Sequence, residues 1–218
     1  SGKEIQVSVL EIIEILNNAL KKIDIGINKA KDPKKELYSG YFINQVTDYE
    51  LINEHFIRAK KFKQIKLPLF LEAQMHALRV AENQAQAKDI HTSTKASPLY
   101  DKELKMLRLN ASLQNMPEEI GRSRIFPPGW LENESVWLHM EYKYILELLK
   151  ARLYEDFYTE FKNVLIPFQK PENYGRSILE NSSFIVSSAF ADKSLHGHGF
   201  VARLSGSTAE FLQIWLTM

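Results

Sequence analysis

Two short segments carry most of the side chains in this chain that could do chemistry. The first is Gly129-Trp130-Leu131-Glu132-Asn133-Glu134-Ser135-Val136-Trp137-Leu138-His139. The second is Gly199-Phe200-Val201-Ala202-Arg203-Leu204-Ser205-Gly206-Ser207-Thr208. Carboxylates and amides can exchange hydrogen bonds with sugar hydroxyls, and an indole face can stack on a pyranose ring. A Gly/Ser/Thr run opening a helix presents N–H groups and the positive end of the macrodipole, which is what an anion needs. The inventory suits a site that holds a sugar and an anion.

Each of these residues also has a plainer reading. Ser207 and Glu210 have capping-box spacing, so Ser207 reads first as a helix N-cap, a role compatible with anion binding. Arg203 is either a bidentate clamp or a surface residue. His139 shares a polar strip with Lys143, Glu147 and Lys150 at helical spacing, the pattern of a solvated face. Glu132 and Glu134 could pair as acid and base, or mark the acidic start of a helix. Glu180, beside Asn181, Ser182 and Ser183, could bind sugar hydroxyls or cap a loop. Trp130, after Pro127-Pro128-Gly129, could stack on a sugar or pack in the core. His196 and His198 lack a carboxylate at a convincing spacing, so no metal is expected.

These segments must be positioned by helices. Helix one reads from Ser8 to about Ile23, with capping-box spacing at Ser8 and Glu11 and an apolar stripe of Val9, Ile12, Ile13, Leu16, Leu20 and Ile23. The charged run from Lys29 to Glu36 reads as a loop, and Tyr41 to Ile52 as extended. Pro68 suits the first turn of a helix reaching the high eighties, followed by a loop from His91 to Ser97. Leu104 to Leu109 reads as a short strand, and Met116 to Gly129 as irregular. A helix from about Glu134 to Leu153 is apolar over most of its circumference. A second follows, with Tyr154, Phe157, Tyr158 and Phe161 as a core stripe, stopped by Pro167. A last helix begins near Ser207.

The totals are ordinary for one folded domain. The 218 residues are 44% hydrophobic and 25% charged, with net charge +1, which gives no case for nucleic acid or an anionic membrane as the main partner. Cysteine is absent, excluding disulfides and thiolate metal sites. No apolar run is long enough for a membrane span and no signal peptide opens the chain, so a cytoplasmic protein is expected.

From Gly129 to Ala209 the chain resembles the catalytic barrel of the cellobiose- and chitobiose-phosphorylase family. Glu132-Asn133-Glu134-Ser135 followed by His139 is similar to the family's Glu-Asn-Gly-Gly and downstream His. Leu204-Ser205-Gly206-Ser207-Thr208-Ala209 is similar to its Leu-Thr-Gly-Thr-Ala run, and Leu179-Glu180-Asn181 to its Glu-Pro-Tyr stretch. The first half resembles, more loosely, the matching region of long proteins related to that family. The resemblance implies a mainly α fold, part of an (α/α)6 toroid with a few short strands and long loops. Residues 1–218 would form a single domain, the C-terminal portion of the barrel, with the remainder of the barrel as a partner and a homodimer left open.

The activity implied is inverting phosphorolysis, in which inorganic phosphate attacks the anomeric carbon of a β-linked gluco-oligosaccharide. Phosphate is the co-substrate, and no cofactor is implied. His139, Gly206, Ser207, Thr208 and Arg203 would hold phosphate, and Glu132, Asn133, Trp130 and Glu180 would lie at the sugar sites. The family's general acid belongs to a Gly-Asp-Trp-Asn-Asp motif, which this chain does not contain. The acid is expected upstream, and no catalytic residue is assigned within these 218 residues. Glu134-Ser135 also stands where the family has Gly-Gly. An inverting hydrolase on the same toroid, with Glu132 activating water, and a non-catalytic helical carbohydrate-binding segment are the alternative readings.

Overall fold

The computed structural model describes residues 2, 4–201 and 205–218, and these form a mainly helical chain. In order the elements are α1 (Val9–Ala30), β1 (Phe42–Leu51), β2 (Ile57–Lys66), α2 (Leu71–Arg79), α3 (Gln84–Lys95), β3 (Tyr100–Asp101) and β4 (Met106–Leu107). They continue with β5 (Val136–Trp137), α4 (Leu138–Lys150), α5 (Tyr154–Val164), α6 (Pro171–Tyr174), β6 (Phe184–Ile185), β7 (Gly199–Phe200) and α7 (Ser205–Thr217). Among the described residues, no helix is long and apolar enough to cross a membrane.

Helix α4 is the centre of the body, and α2, α5 and α7 pack around it. Nine of its thirteen residues are buried, so it needs packing partners on several sides. Leu138, Tyr142, Tyr144, Ile145 and Leu148 are fully covered there, with Phe157 and Val164 of α5, Leu71 and Met75 of α2, and Ile214 of α7. Full burial of side chains of this size stabilises by about 1.5–3 kcal/mol each. Two residues of the Tyr154–Phe161 stripe depart from a core role: Tyr154 and Tyr158 are about half exposed.

The first 66 residues add little to that core but are joined to it: Leu37 is buried, Tyr38 N–H donates to Gln74 Oε1 of α2 at 3.0 Å, and Gln74 Nε2 donates back to Tyr38 O at 2.7 Å. The capping box is present as the spacing predicts, with Glu11 N–H donating to Ser8 Oγ at 3.2 Å and Ser8 N–H to the Glu11 carboxylate at 2.8 Å. Yet α1 runs on to Ala30 and buries none of its residues. Strands β1 and β2 form an antiparallel hairpin, Phe42 opposite Lys66 and Leu51 opposite Ile57, with an irregularity around Asp48. The Asn53 side chain closes the turn by accepting from the His55 and Phe56 N–H groups at 2.9 and 3.0 Å.

Three expectations are corrected. The helix after Pro68 is two helices, because Asn83 interrupts it and caps α3 by accepting from Gln86 N–H at 2.9 Å. His91 to Lys95 belong to α3 rather than to a loop, the Thr92 and Thr94 hydroxyls donating to carbonyls four residues back. The helix expected from Glu134 begins instead at Leu138, because Val136 and Trp137 are extended and pair with Ile185 and Phe184.

Candidate functional site

The two segments singled out in the sequence are drawn together by one small sheet. Strand β6 is central, with β5 on one side and β7 on the other: Trp137 opposes Phe184, and Phe184 opposes Phe200. Strand β5 leads into α4, whose second residue is His139, and β7 lies just ahead of α7. Helices α4 and α7 then pack on each other.

The contact between them is close. His139 Nε2 lies 3.5 Å from Glu210 Oε1. A Cβ built on Gly206 would fall 2.9 Å from His139 Nδ1, so only a residue without a side chain lets the imidazole sit where it does. Ser207 is fully buried, and Thr208 beside it is exposed. The helix starts at Ser205, two residues before the expected N-cap, so Ser207 lies inside the first turn, and the Glu210 carboxylate approaches His139. Arg203 lies outside the described residues.

The sugar-site candidates go elsewhere. Asn133 is fully buried, its amide donating to Phe126 O at 2.8 Å, and it holds the loop. Its backbone N–H donates to Trp130 O, and its carbonyl accepts from Gly129. The Ser135 hydroxyl and, at 2.9 Å, the Trp137 indole donate to Leu131 O. The Trp130 ring packs against Phe184, Phe190 and Phe200, with centroids 5.2, 5.4 and 4.7 Å away. Glu180 is exposed and near Arg176 at 3.4 Å. Glu132 accepts from Arg122 at 2.9 Å, while Glu134, at a positive φ of 60°, lies 3.4 Å from Arg108. These two carboxylates are therefore engaged by different arginines and do not form an acid/base pair.

Glu132 lines a cavity of about 330 Å³ with Tyr41, Leu67, Pro68, Phe70, Leu109, Leu113 and Ile120 as its apolar wall. Its Oε2 is buried without a hydrogen-bond partner. A buried acceptor in that state favours a donor arriving from the cavity. Glu147, expected on a solvated strip with His139, is buried, and its Oε1 accepts from Arg79 at 2.7 Å and from Lys150 at 3.2 Å. His196 has both ring nitrogens engaged, with Phe190 O at 2.8 Å and Glu103 at 3.1 Å, which leaves neither for a metal.

A second constellation was not anticipated. His91 of α3 is buried against α4 and α5, its Nδ1 3.0 Å from the Tyr144 hydroxyl. Its Nε2 lies 3.8 Å from Glu160 and 3.9 Å from Asp156, without a hydrogen bond. Lys95 Nζ meets Glu160 at 2.6 Å, and Lys88 meets Asp156 at 2.7 Å. The signal available in the sequence is that basic positions 88 and 95 on one helix complement acidic positions 156 and 160 on another. Reading 91–97 as a loop hid it. Nearby, burial pushes the Glu141 carboxyl well above the usual range; one oxygen accepts from Leu107 N–H at 2.6 Å.

Burial lowers the His91 pKa to about 4, with Asp156 opposing and Lys95 and Lys88 reinforcing. The unfolded chain then takes up that proton first, near the ordinary histidine value of about 6.5. Stability that depends on neutral His91 is lost as the pH falls from that value toward about 4. Glu141 acts oppositely: it holds its proton longer when folded, so its contribution is lost as the pH rises. Comparison with His91→Gln isolates the histidine. The stability advantage of the wild type in urea should shrink between pH 7 and pH 5; a difference that does not change with pH would contradict this account.

The fold and contacts define a mainly helical chain with an imidazole set against the opening turn of its last helix. Comparison with protein-family models and with curated proteins finds no match.

Proposed function

We propose that this chain is the C-terminal portion of the catalytic (α/α)6 barrel of a cytoplasmic inverting glycoside phosphorylase. Its substrates would be inorganic phosphate and a β-linked gluco-oligosaccharide. The single observation that carries the proposal is the packing of His139 on Gly206. An imidazole, the Thr208 hydroxyl and first-turn N–H groups of α7 form the kind of donor set that phosphate requires. Glu210 orients the ring from its other nitrogen. Gly206 is what allows that approach.

In the whole barrel, phosphate held here attacks the anomeric carbon while an acid from the missing motif protonates the leaving oxygen. Phosphate replaces the base-activated water of an inverting hydrolase, so a second carboxylate is not required. These 218 residues alone should show no phosphorolysis, since proton donation supplies about two to four powers of ten.

Titration calorimetry with inorganic phosphate tests the anion site directly. His139→Ala should weaken phosphate binding about tenfold or more, the loss expected for a hydrogen bond to a charged group. Gly206→Ala should do the same by displacing the ring without removing it. Unchanged affinity in both variants would remove the phosphate assignment.

The non-catalytic carbohydrate-binding reading is favoured by one other observation, the unpartnered Glu132 oxygen in the cavity walled by Tyr41 and Phe70. Sugar binding lost in Glu132→Gln, with no phosphate binding by the wild type, would select it.

A further inference from the structure

The β1–β2 hairpin has two unlike faces. Side chains directly opposite each other in the ladder share a face, and successive residues along a strand alternate between faces. One face carries Asn44, Arg58, Lys60, Phe62, Gln64 and Lys66, with Glu50 as its carboxylate. The other is apolar through Ile43, Leu51, Ile57 and Ile65, and also carries Lys61 and Lys63. Lys29 of α1 brings a further cation to the Lys66 end of the first face. Its Nζ lies 5.7 Å from the ring centroid of Phe42, the residue opposite Lys66. Glu50 engages Lys60 at 2.8 Å, whereas Lys29, Arg58 and Lys66 form no ion pair among the described residues. The net charge of +1 over the whole chain conceals this local excess.

Between the two cationic ends stands Phe62, 60% exposed and opposite Val46. Beside it Gln64 Nε2 donates to Asn44 Oδ1 at 3.2 Å, and both amides are exposed. Cations spaced along a strand can track a phosphate backbone, an open ring can stack on an unpaired base, and amides can bond base edges. We propose that this face of the hairpin binds single-stranded nucleic acid. Phosphates lie at Lys29 and Lys66 on one side and at Arg58 and Lys60 on the other, with a base on Phe62 between them. A duplex keeps its base faces inside the stack and cannot use that ring. An anionic bilayer is a poorer match, because it takes up the apolar face opposite and gains nothing from the amides. The face shares no residue with the phosphate set or with the Glu132 cavity, so it stands apart from both assignments.

Fluorescence anisotropy of a labelled oligothymidylate, titrated with the full chain, tests this. The dissociation constant should be about 1–100 μM near physiological salt, with a log–log salt slope of about −3 for four neutralised phosphates. Arg58→Gln with Lys60→Gln should roughly halve that slope. Phe62→Ala should weaken binding about 5- to 150-fold, the loss of one stacked base, and leave the slope unchanged. Lys61→Gln with Lys63→Gln makes the same charge change on the opposite face and should move the slope by less than about 1. All five of these side chains are exposed, so circular dichroism should be the same in every variant. No anisotropy change at about 200 μM protein overturns the proposal. Full affinity in Phe62→Ala, equal slope changes in the two double variants, or tighter binding once the strand is annealed to oligoadenylate overturns it as well. Binding to phosphatidylglycerol vesicles without binding to the oligonucleotide overturns it in favour of a membrane.

Discussion

Replacing Lys95 by methionine should destabilise the fold by about 3–4 kcal/mol in urea unfolding at pH 7, far more than a surface lysine is worth. The reason lies in its partner. Glu160 is buried on α5 with Lys95 Nζ 2.6 Å away, and its second oxygen has no hydrogen-bond partner. Methionine keeps the apolar stem but strands a carboxylate among Tyr144, His91 and the core. A lesser share comes from the Tyr100 ring, whose centroid lies 4.9 Å from the lysine nitrogen. The diagnostic variant is the double one. Lys95→Met with Glu160→Met removes both charges together, and most of the lost stability should return, because an apolar pair of similar volume has no desolvation debt. Additive losses in the double variant, or a single-variant loss below about 1 kcal/mol, would show that the pair is solvated and structurally idle.

That pair also shows where sequence reading stops. Local rules worked where the determinants are local. Ser8 and Glu11 sit three residues apart and form their capping box, and Pro167 ends the α5 segment where its ring forbids a further turn. The α1 stripe correctly describes a helix face, but the pattern says nothing of what covers it, and within the described chain nothing does.

Determinants that lie far apart in the chain were invisible. Val136 is extended because it pairs with Ile185, 49 positions on, and helical periodicity over 134–153 could not register that. Leu131 and Glu134 adopt positive φ values of 47° and 60°, conformations that their residue types disfavour and only the closed loop imposes. Threonines made 91–97 look irregular until their hydroxyls were seen to donate back into α3. For the site, composition supplied the ingredients but not the geometry. The nearness of His139 to Gly206 rests on a sheet pairing β5 and β7 through β6 and on the packing of α7 against α4.

Gly129→Ala should cost about 3–5 kcal/mol, the sum of an unfavourable backbone conformation and a steric overlap. Gly129 has φ 83°, and a Cβ there would lie 2.5 Å from the Phe190 backbone nitrogen and 2.8 Å from its Cβ. A flexible side-chain tip could turn away, but a backbone atom held by the Phe190 N–H bond to Ser187 cannot do so cheaply. The two contributions can be separated. Gly121, at φ 90° and ψ −160°, also has a backbone conformation that side chains disfavour, with open space where its Cβ would go, so Gly121→Ala should show a conformational cost alone, about 1–3 kcal/mol. The excess at Gly129 is then the overlap. Its consequence should be visible next door, because Phe190 and Phe200 pack on Trp130. Displacing Phe190 opens that aromatic cluster and should shift Trp130 emission, measured with Trp137 and Trp215 replaced by phenylalanine. Through Phe184 the same displacement reaches β5 and the start of α4, where His139 stands. Equal losses for Gly129→Ala and Gly121→Ala, with unshifted emission, would mean that the loop carrying Glu132 is not braced by Phe190.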